Sequence, residues 1–287
     1  MKNKLRRYLT ILAKVTVTVA ALWYVFTRID VQQVLDTMRD SRPGFLAGAL
    51  VLFVLSKLLS SVRLNRFLAS IGIRISQLSH WKLYLLGMFY NLFLPGGIGG
   101  DGYKIYYLNK RFEVATRKIF WAVLLDRIIG VVVLFCMAVV LFCFLPGMRN
   151  HAWYAWLLIP LSIFVAYIII RRFFPYLLPV FTISQFYSLG IQLLQLGSAL
   201  LILGSLDAPG QLEAYLFVFL ISSMVAVLPL TIGGIGSREF TFMLGAQWLG
   251  LDLNLSISLS LIFYLITAFT SFWGIIYSVG PGPELKS

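Results

Sequence analysis

The chain has 287 residues, of which 60% are hydrophobic and 12% are charged. Soluble domains carry about 45–50% apolar and about 25% charged residues, so this composition excludes a soluble protein. The net charge of +13 would favour a nucleic-acid surface in a soluble protein. Here, however, the basic residues lie in short polar segments between apolar runs of about 20 residues, the length of a membrane-spanning helix. The sequence predicts an all-α polytopic membrane protein with no nucleic-acid partner.

Cysteine and histidine are scarce in this chain. The two cysteines, Cys136 and Cys143, are seven residues apart in one apolar run. On a helix this spacing places them about 10 Å apart, too far for a disulfide. His80 and His151 lie at spacings that fit no zinc motif. We therefore expect no metal site, no catalytic residue and no cofactor.

Six segments are long and apolar enough to cross a membrane. They are predicted at 8–28, 43–62, 119–144, 152–170, 184–206 and 255–279. The basic segment 1–7 resembles the start of a signal peptide, but no cleavage site leads from the first span into a polar mature chain. We therefore expect the first helix to be retained.

Two further apolar segments are interrupted before they could span. The first ends at Pro95 and the second at Pro229, and closely spaced glycines follow each proline. Proline and glycine interrupt helices, because proline lacks the N–H donor and glycine is conformationally free. We predict two re-entrant hairpins of broken helices, at 83–103 and 213–244.

The distribution of Lys and Arg favours this topology, since short cytoplasmic loops are enriched in both. With two re-entrant hairpins, sixteen of the 24 basic residues lie on the inner side and four in outer loops. The inner group includes Arg63, Arg66, Arg74 and Lys82, in either a solvated connector or an interfacial helix that contacts anionic lipid. We predict a protein of the cytoplasmic membrane with both termini cytoplasmic.

The two interrupted segments repeat one another at a constant offset of 134 residues. The matched pairs are Leu94/Leu228, Pro95/Pro229, Ile98/Ile232, Gly99/Gly233, Gly100/Gly234, Gly102/Gly236 and, by charge, Lys104/Arg238. Three predicted spans separate the copies, so they enter from opposite sides and the repeat is inverted. Secondary transporters of this plan bind substrate near the midplane, between the broken helices. We expect one integral membrane domain, 1–287, with a hairpin in each half.

Half-helices that begin inside the membrane favour an anionic ligand, because their free N–H groups and positive dipole ends point into the interior. Asp101 and Ser237 are the predicted N-caps. Irregular backbone at this depth must be buried in protein or line a wet cavity, so a cavity is implied. Glycines allow close approach and positive φ. Four of them are candidate substrate-binding residues: Gly99, Gly100, Gly233 and Gly234.

Charged residues within the membrane are functional candidates, because each costs at least about 2.5–3.5 kcal/mol to insert. Asp126 and Arg127 lie in the third predicted span, and Arg238 and Glu239 open the second half-helix of the second hairpin. Neighbours on a helix point about 100° apart, so each acid can brace the structure while its arginine faces elsewhere. Two interpretations remain open: a salt bridge that locks the fold, or an arginine clamp on phosphate.

Other polar residues within spans have simpler interpretations. Lys14 and Lys57 lie within two turns of predicted cytoplasmic ends, where a long side chain can snorkel its ammonium to the headgroups. Gln192 and Gln195 share a face of the fifth span. They line a polar path or form hydrogen bonds between helices.

Three segments carry a family resemblance: 91–101 (NLFLPGGIGGD), 125–130 (LDRIIG) and 228–239. Their order and spacing resemble the flippase-like transmembrane domain of lysylphosphatidylglycerol synthases over essentially the whole chain. In that family a cytosolic aminoacyl-transferase is fused to the domain, which moves the lipid outward. No such transferase follows here, so the resemblance implies a stand-alone membrane unit. Similar domains accompany lipid-linked glycosyl-transfer systems, which widens the substrate class to polyprenyl and hopanoid lipids.

The leading functional prediction is a lipid flippase that passes a phosphate-bearing headgroup, anionic or aminoacylated, through a midplane cavity. The expected phosphate ligands are Arg238, Arg127 and Lys104. The acids expected to orient them, or to accept a cationic headgroup, are Asp101, Asp126 and Glu239. One alternative is an accessory subunit that scaffolds a cytosolic lipid-modifying transferase. Another alternative is a lipid-linked transferase. Its chemistry requires carboxylates as a general base or as metal ligands, and the small number of acids in the chain, 11, disfavours it.

Overall fold

The apolar runs of the sequence form helices throughout the described part of the chain. The structure is a computed structural model, and it describes residues 31–93, 99–145, 152–228 and 234–279, with the isolated positions 16, 23, 27 and 148. Within these ranges there is no strand. The helices are α1 (Val31–Arg39), α2 (Pro43–Ser70), α3 (Gln77–Phe93), α4 (Gly99–Phe112), α5 (Thr116–Phe142), α6 (Ala152–Phe173), α7 (Leu178–Ser205), α8 (Leu212–Val227), α9 (Ser237–Leu249), α10 (Leu253–Phe272) and α11 (Ile275–Val279).

Five helices in the described ranges are long and apolar enough to cross a membrane. They are Pro43–Ser70, Thr116–Phe142, Tyr154–Phe173, Pro175–Ser205 and Leu253–Ser278. The protein is therefore an all-α polytopic membrane protein, as predicted. Each of these helices overlaps a predicted span, and the predicted span 8–28 lies outside the described residues. Two of the helices are clearly longer than predicted: α2 continues from the predicted end at residue 62 to Ser70, and the span predicted at 184–206 begins at Pro175.

The helices α2 and α7 pack against each other along their lengths. Three contacts recur at seven-residue spacing: Gly190 with Leu59, Gly197 with Leu52, and Gly204 with Phe45. A Cβ on any of these glycines would come within 2.9–3.1 Å of its partner side chain. Small residues that admit large ones are typical of helix pairs in membranes, where van der Waals packing drives association. This pair gives the cavity described below a fixed wall.

Each predicted hairpin is a pair of packed helices. In the first hairpin α3 packs against α4, and in the second α8 packs against α9. The span α5 contacts α4 and α8, and α10 contacts α3 and α9, so both spans bridge the two hairpins. The turns at 94–98 and 229–233 lie outside the described residues. That the hairpins are re-entrant and form an inverted repeat remains a prediction.

Candidate functional site

A cavity of about 280 Å³ lies between the two hairpins and the spans around them. The charged residues among its described lining are Lys57, Arg63, Lys104, Arg127, Arg238, Asp101 and Asp126. Five cations therefore face two carboxylates, a formal net charge of +3. The structure thus brings together five of the residues predicted from the sequence and adds Lys57 and Arg63.

The first hairpin contributes a carboxylate shared by two cations. Asp101 lies in the first turn of α4, where its Oδ1 is 3.2 Å from Lys104 Nζ. Its Oδ2 forms an ion pair with Arg127 Nε of α5. Lys104 Nζ also lies 4.5 Å from the centre of the Tyr84 ring. One buried carboxylate thus ties the half-helix to a membrane span and offsets one positive charge there.

Asp101 does not cap α4, so the predicted N-cap is wrong. The helix begins two residues earlier, at Gly99. Asn91 of α3 supplies the side-chain acceptor instead, because its Oδ1 accepts a hydrogen bond from the Gly100 N–H at 2.8 Å. The Asp101 carboxylate is drawn away from the helix start by the two cations. Its contacts are ionic, and it ties α4 to α5.

The glycines of the first hairpin allow α3 and α4 to meet backbone to backbone. A Cβ on Gly100 would lie 1.8 Å from the carbonyl oxygen of Gly87. A Cβ on Gly87 would lie 2.1 Å from Lys104 Cε. Gly100 is therefore required for helix packing, and Gly99 opens α4. The predicted contact of these two glycines with substrate stays a prediction.

A buried salt bridge joins three spans beside the cavity. Arg63 Nε lies 2.8 Å from Asp126 Oδ1, and its Nη2 donates to Asp126 Oδ2 at 3.1 Å. Its Nη1 donates to the Ser188 hydroxyl at 2.6 Å. A Cβ on Gly130, one turn after Asp126, would lie 3.2 Å from Arg63 Nη1, so glycine there leaves room for the guanidinium. Asp126 locks the fold, in line with the first interpretation.

Two cations occupy positions that the sequence interpretation placed elsewhere. Arg63 is buried in α2 and is not part of a connector or interfacial helix, because α2 continues past it to Ser70. The same extension puts Lys57 in the middle of α2, too far from the helix end to snorkel. Its Nζ lies 4.6 Å from the Phe53 ring and lines the cavity.

Arg238 of the second hairpin has a different environment. It is 8% exposed, and its Nε and Nη2 have no hydrogen-bond partner among the described residues. Its guanidinium carbon lies 4.9 Å from the Phe263 ring centre and 5.9 Å from that of Phe219. Aromatic faces attract a cation and orient it without neutralising it. The side chain therefore lines the cavity, and two of its buried N–H groups have no acceptor among the described residues.

Glu239 braces the start of α9. Its Oε2 accepts a hydrogen bond from the Gly236 N–H at 2.7 Å, and its Oε1 accepts one from the Ser260 hydroxyl at 2.9 Å. Both oxygens of Glu239 are therefore used within the fold, and the carboxylate attracts Arg238 without forming a salt bridge to it among the described residues. Ser237 is not the N-cap that was predicted, since it is the first residue of α9 and donates its hydroxyl to the Gly234 carbonyl at 3.0 Å.

Positive φ is found in the second hairpin, where the glycines were expected to allow it. Gly234 and Gly236 both have φ of 82°. Gly233 lies outside the described residues. The peptide groups around Gly234 and Gly236 therefore orient differently from those of the helical Gly100 in the first hairpin. The predicted contact of Gly234 with substrate remains a prediction.

A second, polar space of about 270 Å³ adjoins the cavity and shares Lys57, Asn91 and Arg127 with it. Leu92 lines that space and also an apolar groove of about 550 Å³ formed by α3, α10 and the segment after α10. The groove wall is otherwise apolar and includes Phe269. Uncharged polar side chains, among them Gln192 and Gln195, also line the main cavity.

Sequence comparisons relate the chain to known membrane proteins. The profile of the family described as "Lysylphosphatidylglycerol synthase TM region" matches residues 11–183, more than half of the chain. A UPF0104 membrane protein of Pyrococcus horikoshii is 27% identical over 189 residues, which cover 64% of this chain and 52% of the relative. The chain therefore spans about half the length of the curated relative it matches. The family match includes the first hairpin and ends before the second.

Proposed function

The chain belongs to the family of the lysylphosphatidylglycerol synthase transmembrane region, and on that premise we propose that it transports a lipid. A phosphate-bearing headgroup crosses the cytoplasmic membrane through the basic cavity while the acyl chains stay in the bilayer. Membership makes it a multi-pass membrane protein. The activity, the membrane and the cytoplasmic position of both termini belong to the proposal.

The observation that carries the proposal is the state of Arg238. A buried charge without a partner is strongly unfavourable, since the interior does not replace its hydration. The Nε and Nη2 of Arg238 nevertheless lack acceptors among the described residues. Phosphate oxygens match the planar fork of a guanidinium and accept two parallel hydrogen bonds from it. A bound phosphate would therefore complete the site.

The spaces beside the cavity favour a lipid over a soluble anion. Leu92 borders both the polar space and the apolar groove, so charged and hydrocarbon-like surfaces adjoin within a few residues. An amphiphile has the same division between headgroup and chain. The headgroup would occupy the cavity, and one acyl chain would lie in the groove beside Leu92 and Phe269.

The two hairpins supply the elements for alternating access. Transporters built on broken helices expose a central site to one side and then to the other by movement of one repeat against the other. The sequence contains no ATPase motif, so the transport is driven by ion coupling, by membrane potential or by a downhill gradient. Opening of the first hairpin would break the Asp101–Arg127 contact between α4 and α5.

Leaflet exchange in proteoliposomes tests the proposal. The purified protein is reconstituted with acyl-chain-labelled fluorescent phosphatidylglycerol or phosphatidylcholine, and dithionite quenching reports the fraction in the outer leaflet. We expect exchange of phosphatidylglycerol by the wild type. Arg238→Gln should slow it by about tenfold or more, because hydrogen bonds to charged groups contribute about 1.5–3 kcal/mol.

The matched control is Arg172→Gln, which removes an exposed arginine from the last turn of α6. It should exchange lipid at the wild-type rate. Absence of exchange for every lipid, with incorporation confirmed, would contradict transport. In that case co-purification with a cytosolic lipid-modifying transferase would support the accessory-subunit alternative.

A further inference from the structure

Both carboxylates of the cavity are already occupied by cations. The two oxygens of Asp101 contact Lys104 and Arg127. The two oxygens of Asp126 contact Arg63 in a bidentate pair. Among the described residues that line the cavity, no carboxylate oxygen remains for a ligand's ammonium group.

The cations, in contrast, are in excess. Arg63 is offset by Asp126, and Asp101 offsets one charge of Lys104 and Arg127 together. Lys57 and Arg238 add two further positive charges. Lys57 also lies close enough to Arg63, Arg127 and Arg238 to be repelled by all three. A ligand with negative charge relieves this repulsion, and a ligand with positive charge adds to it.

We propose that the cavity accepts an amine-free anionic phosphate ester and rejects an aminoacylated headgroup. The inference rests on the proposed function, because it assigns a substrate class to the same site. Phosphatidylglycerol carries one negative charge. Its lysyl ester carries one phosphate and two ammonium groups, so its headgroup is positive overall. The lysyl ester would bring two ammonium groups into a cavity whose described lining has a net charge of +3 and both carboxylates already paired.

Weak screening inside the membrane makes this discrimination strong. Charges in a low-dielectric interior interact over several ångströms with little attenuation. Like charges brought together at a binding site cost several kcal/mol. Selectivity of this kind needs no shape recognition of the headgroup. It depends on the sum of charges around the cavity. Lys57 can be changed without disturbing an ion pair of the described residues, and unlike Arg238 it is not an expected phosphate ligand.

Binding of short-chain ligands tests the inference. The purified full-length protein in detergent is titrated calorimetrically with the dihexanoyl forms of phosphatidylglycerol, lysyl-phosphatidylglycerol and phosphatidylcholine, and with inorganic phosphate. Phosphatidylglycerol should bind about tenfold or more tightly than lysyl-phosphatidylglycerol or phosphatidylcholine, which both carry cationic ammonium groups, given the cost of like-charge contacts. Lysyl-phosphatidylglycerol that binds as tightly as phosphatidylglycerol would overturn the inference.

The titration with inorganic phosphate distinguishes a lipid headgroup from a soluble phosphate compound as the ligand. If it binds far more weakly than dihexanoyl phosphatidylglycerol, the ligand is a lipid. Equal affinity for inorganic phosphate would still support an amine-free anion and would identify a soluble compound as its source.

Two substitutions of Lys57 change the cavity charge in steps. Lys57→Met reduces the net charge to +2 while it keeps an unbranched side chain, and Lys57→Glu reduces it to +1. The preference for phosphatidylglycerol over its lysyl ester should fall from wild type to Lys57→Met and again to Lys57→Glu. An unchanged preference in both variants, each confirmed as folded by its elution and melting temperature, would overturn the inference.

Failure of the inference is distinguishable from failure of the proposed function. Lipid exchange in proteoliposomes combined with tight binding of the lysyl ester would leave transport in place and remove the charge selectivity. Selective binding of phosphatidylglycerol without exchange of any lipid would leave the substrate class in place and remove transport.

Discussion

The two hairpins share a sequence motif, but the cation of the motif has different partners in each hairpin. At the offset of 134, Lys104 corresponds to Arg238, while Asp101 corresponds to Ile235. Lys104 is therefore paired within its own half-helix, and the same carboxylate reaches Arg127. Arg238 has no acid at the corresponding position, and its buried Nε and Nη2 have no hydrogen-bond partner among the described residues. One copy of the motif forms a connection within the fold, and the other leaves a cation without a salt bridge among the described residues, which we propose as the phosphate ligand.

The backbones of the two copies differ as well. Gly99 opens α4, but its counterpart, Gly233, lies four residues before α9, which begins at Ser237. Gly100 is helical and touches Gly87, whereas its counterpart, Gly234, has a φ of 82°. Identity between repeats therefore does not fix the same role for a residue in each copy. Local partners decide whether a glycine serves helix packing or a turn.

Removal of the acid from the first hairpin should have the greatest consequence for stability. Asp101→Asn removes the carboxylate that Lys104 and Arg127 share, and Asp101 and Lys104 are both buried. Loss of one partner from a buried ion pair destabilises a protein by about 3–5 kcal/mol. We expect a clear fall in the melting temperature of the purified protein in detergent. Arg238→Gln should lower it less, because this substitution removes a buried charge that forms no salt bridge among the described residues.

The control for this pair is Asp207→Asn. Asp207 pairs with Arg42 at 2.8 Å, but both side chains are more than half exposed. Exposed pairs contribute about 0–1 kcal/mol, so the melting temperature should change little. If Arg238→Gln destabilised the protein as much as Asp101→Asn, the proposed difference between the hairpins would be wrong.

Alanine at three glycines should separate packing from backbone conformation. Gly100→Ala should be the most damaging, since overpacking costs about 1–3 kcal/mol and here the obstacle is the Gly87 backbone. Gly234→Ala should cost about 1–2 kcal/mol because of its positive φ. Gly102→Ala meets nothing within 4 Å in a helix and should be neutral or stabilising. Melting temperatures in that order would support the assignment, and equal effects would contradict it.

Sequence predicted the spans and most of the cavity charges. Apolar runs of sufficient length specify a span without reference to any neighbour, so five were found in the described ranges. Asp126, Arg127 and Arg238 were identifiable because charges are rare inside membranes, and Asp101 because it stands at the start of a predicted half-helix. The partners of these charges could not be predicted, because a contact such as that between Asp101 and Arg127 depends on how α4 and α5 pack together.

Arg63 shows where the interpretation failed and what signal was present. It was assigned to a cluster outside the second predicted span, which ended at residue 62. Ser56, Ser60 and Arg63 nevertheless recur at helical spacing, which indicates a polar face that continues through α2 into the interior. Asp126 and Gly130, one turn apart on α5, form the matching recess. The helix that packs against this recess depends on the tertiary structure and cannot be predicted from one sequence.

An acid introduced into the second hairpin should pair with Arg238, the cation that has no salt bridge among the described residues. Ile235→Asp places a carboxylate where the first hairpin has Asp101, three residues before the corresponding cation. Because the new carboxylate would neutralise Arg238, this residue should bind phosphate less well. Exchange of phosphatidylglycerol should therefore slow by about tenfold, which corresponds to the strength of one hydrogen bond to a charged group. Ile235→Asn, similar in shape but uncharged, should exchange lipid at a rate near that of the wild type. Equal rates for the two variants would contradict the assignment.

Removal of the paired cation should have a smaller effect on transport. Lys104→Gln deletes a charge that Asp101 already offsets, and Asp101 keeps its contact with Arg127. We expect an exchange rate between those of the wild type and Arg238→Gln in the same proteoliposome assay. A slower rate than that of Arg238→Gln would mean that the first hairpin, and not the second, provides the main phosphate ligand.

The position of a bound phosphate would decide between the two hairpins. The measurement is an experimental structure of the full-length protein with dihexanoyl phosphatidylglycerol at saturating concentration. We predict phosphate oxygens at hydrogen-bond distance, about 2.7–3.2 Å, from Nε and Nη2 of Arg238, with the Asp101 pairs intact. A phosphate held by Lys104 and Arg127 after displacement of Asp101, with Arg238 still unpartnered, would contradict the account.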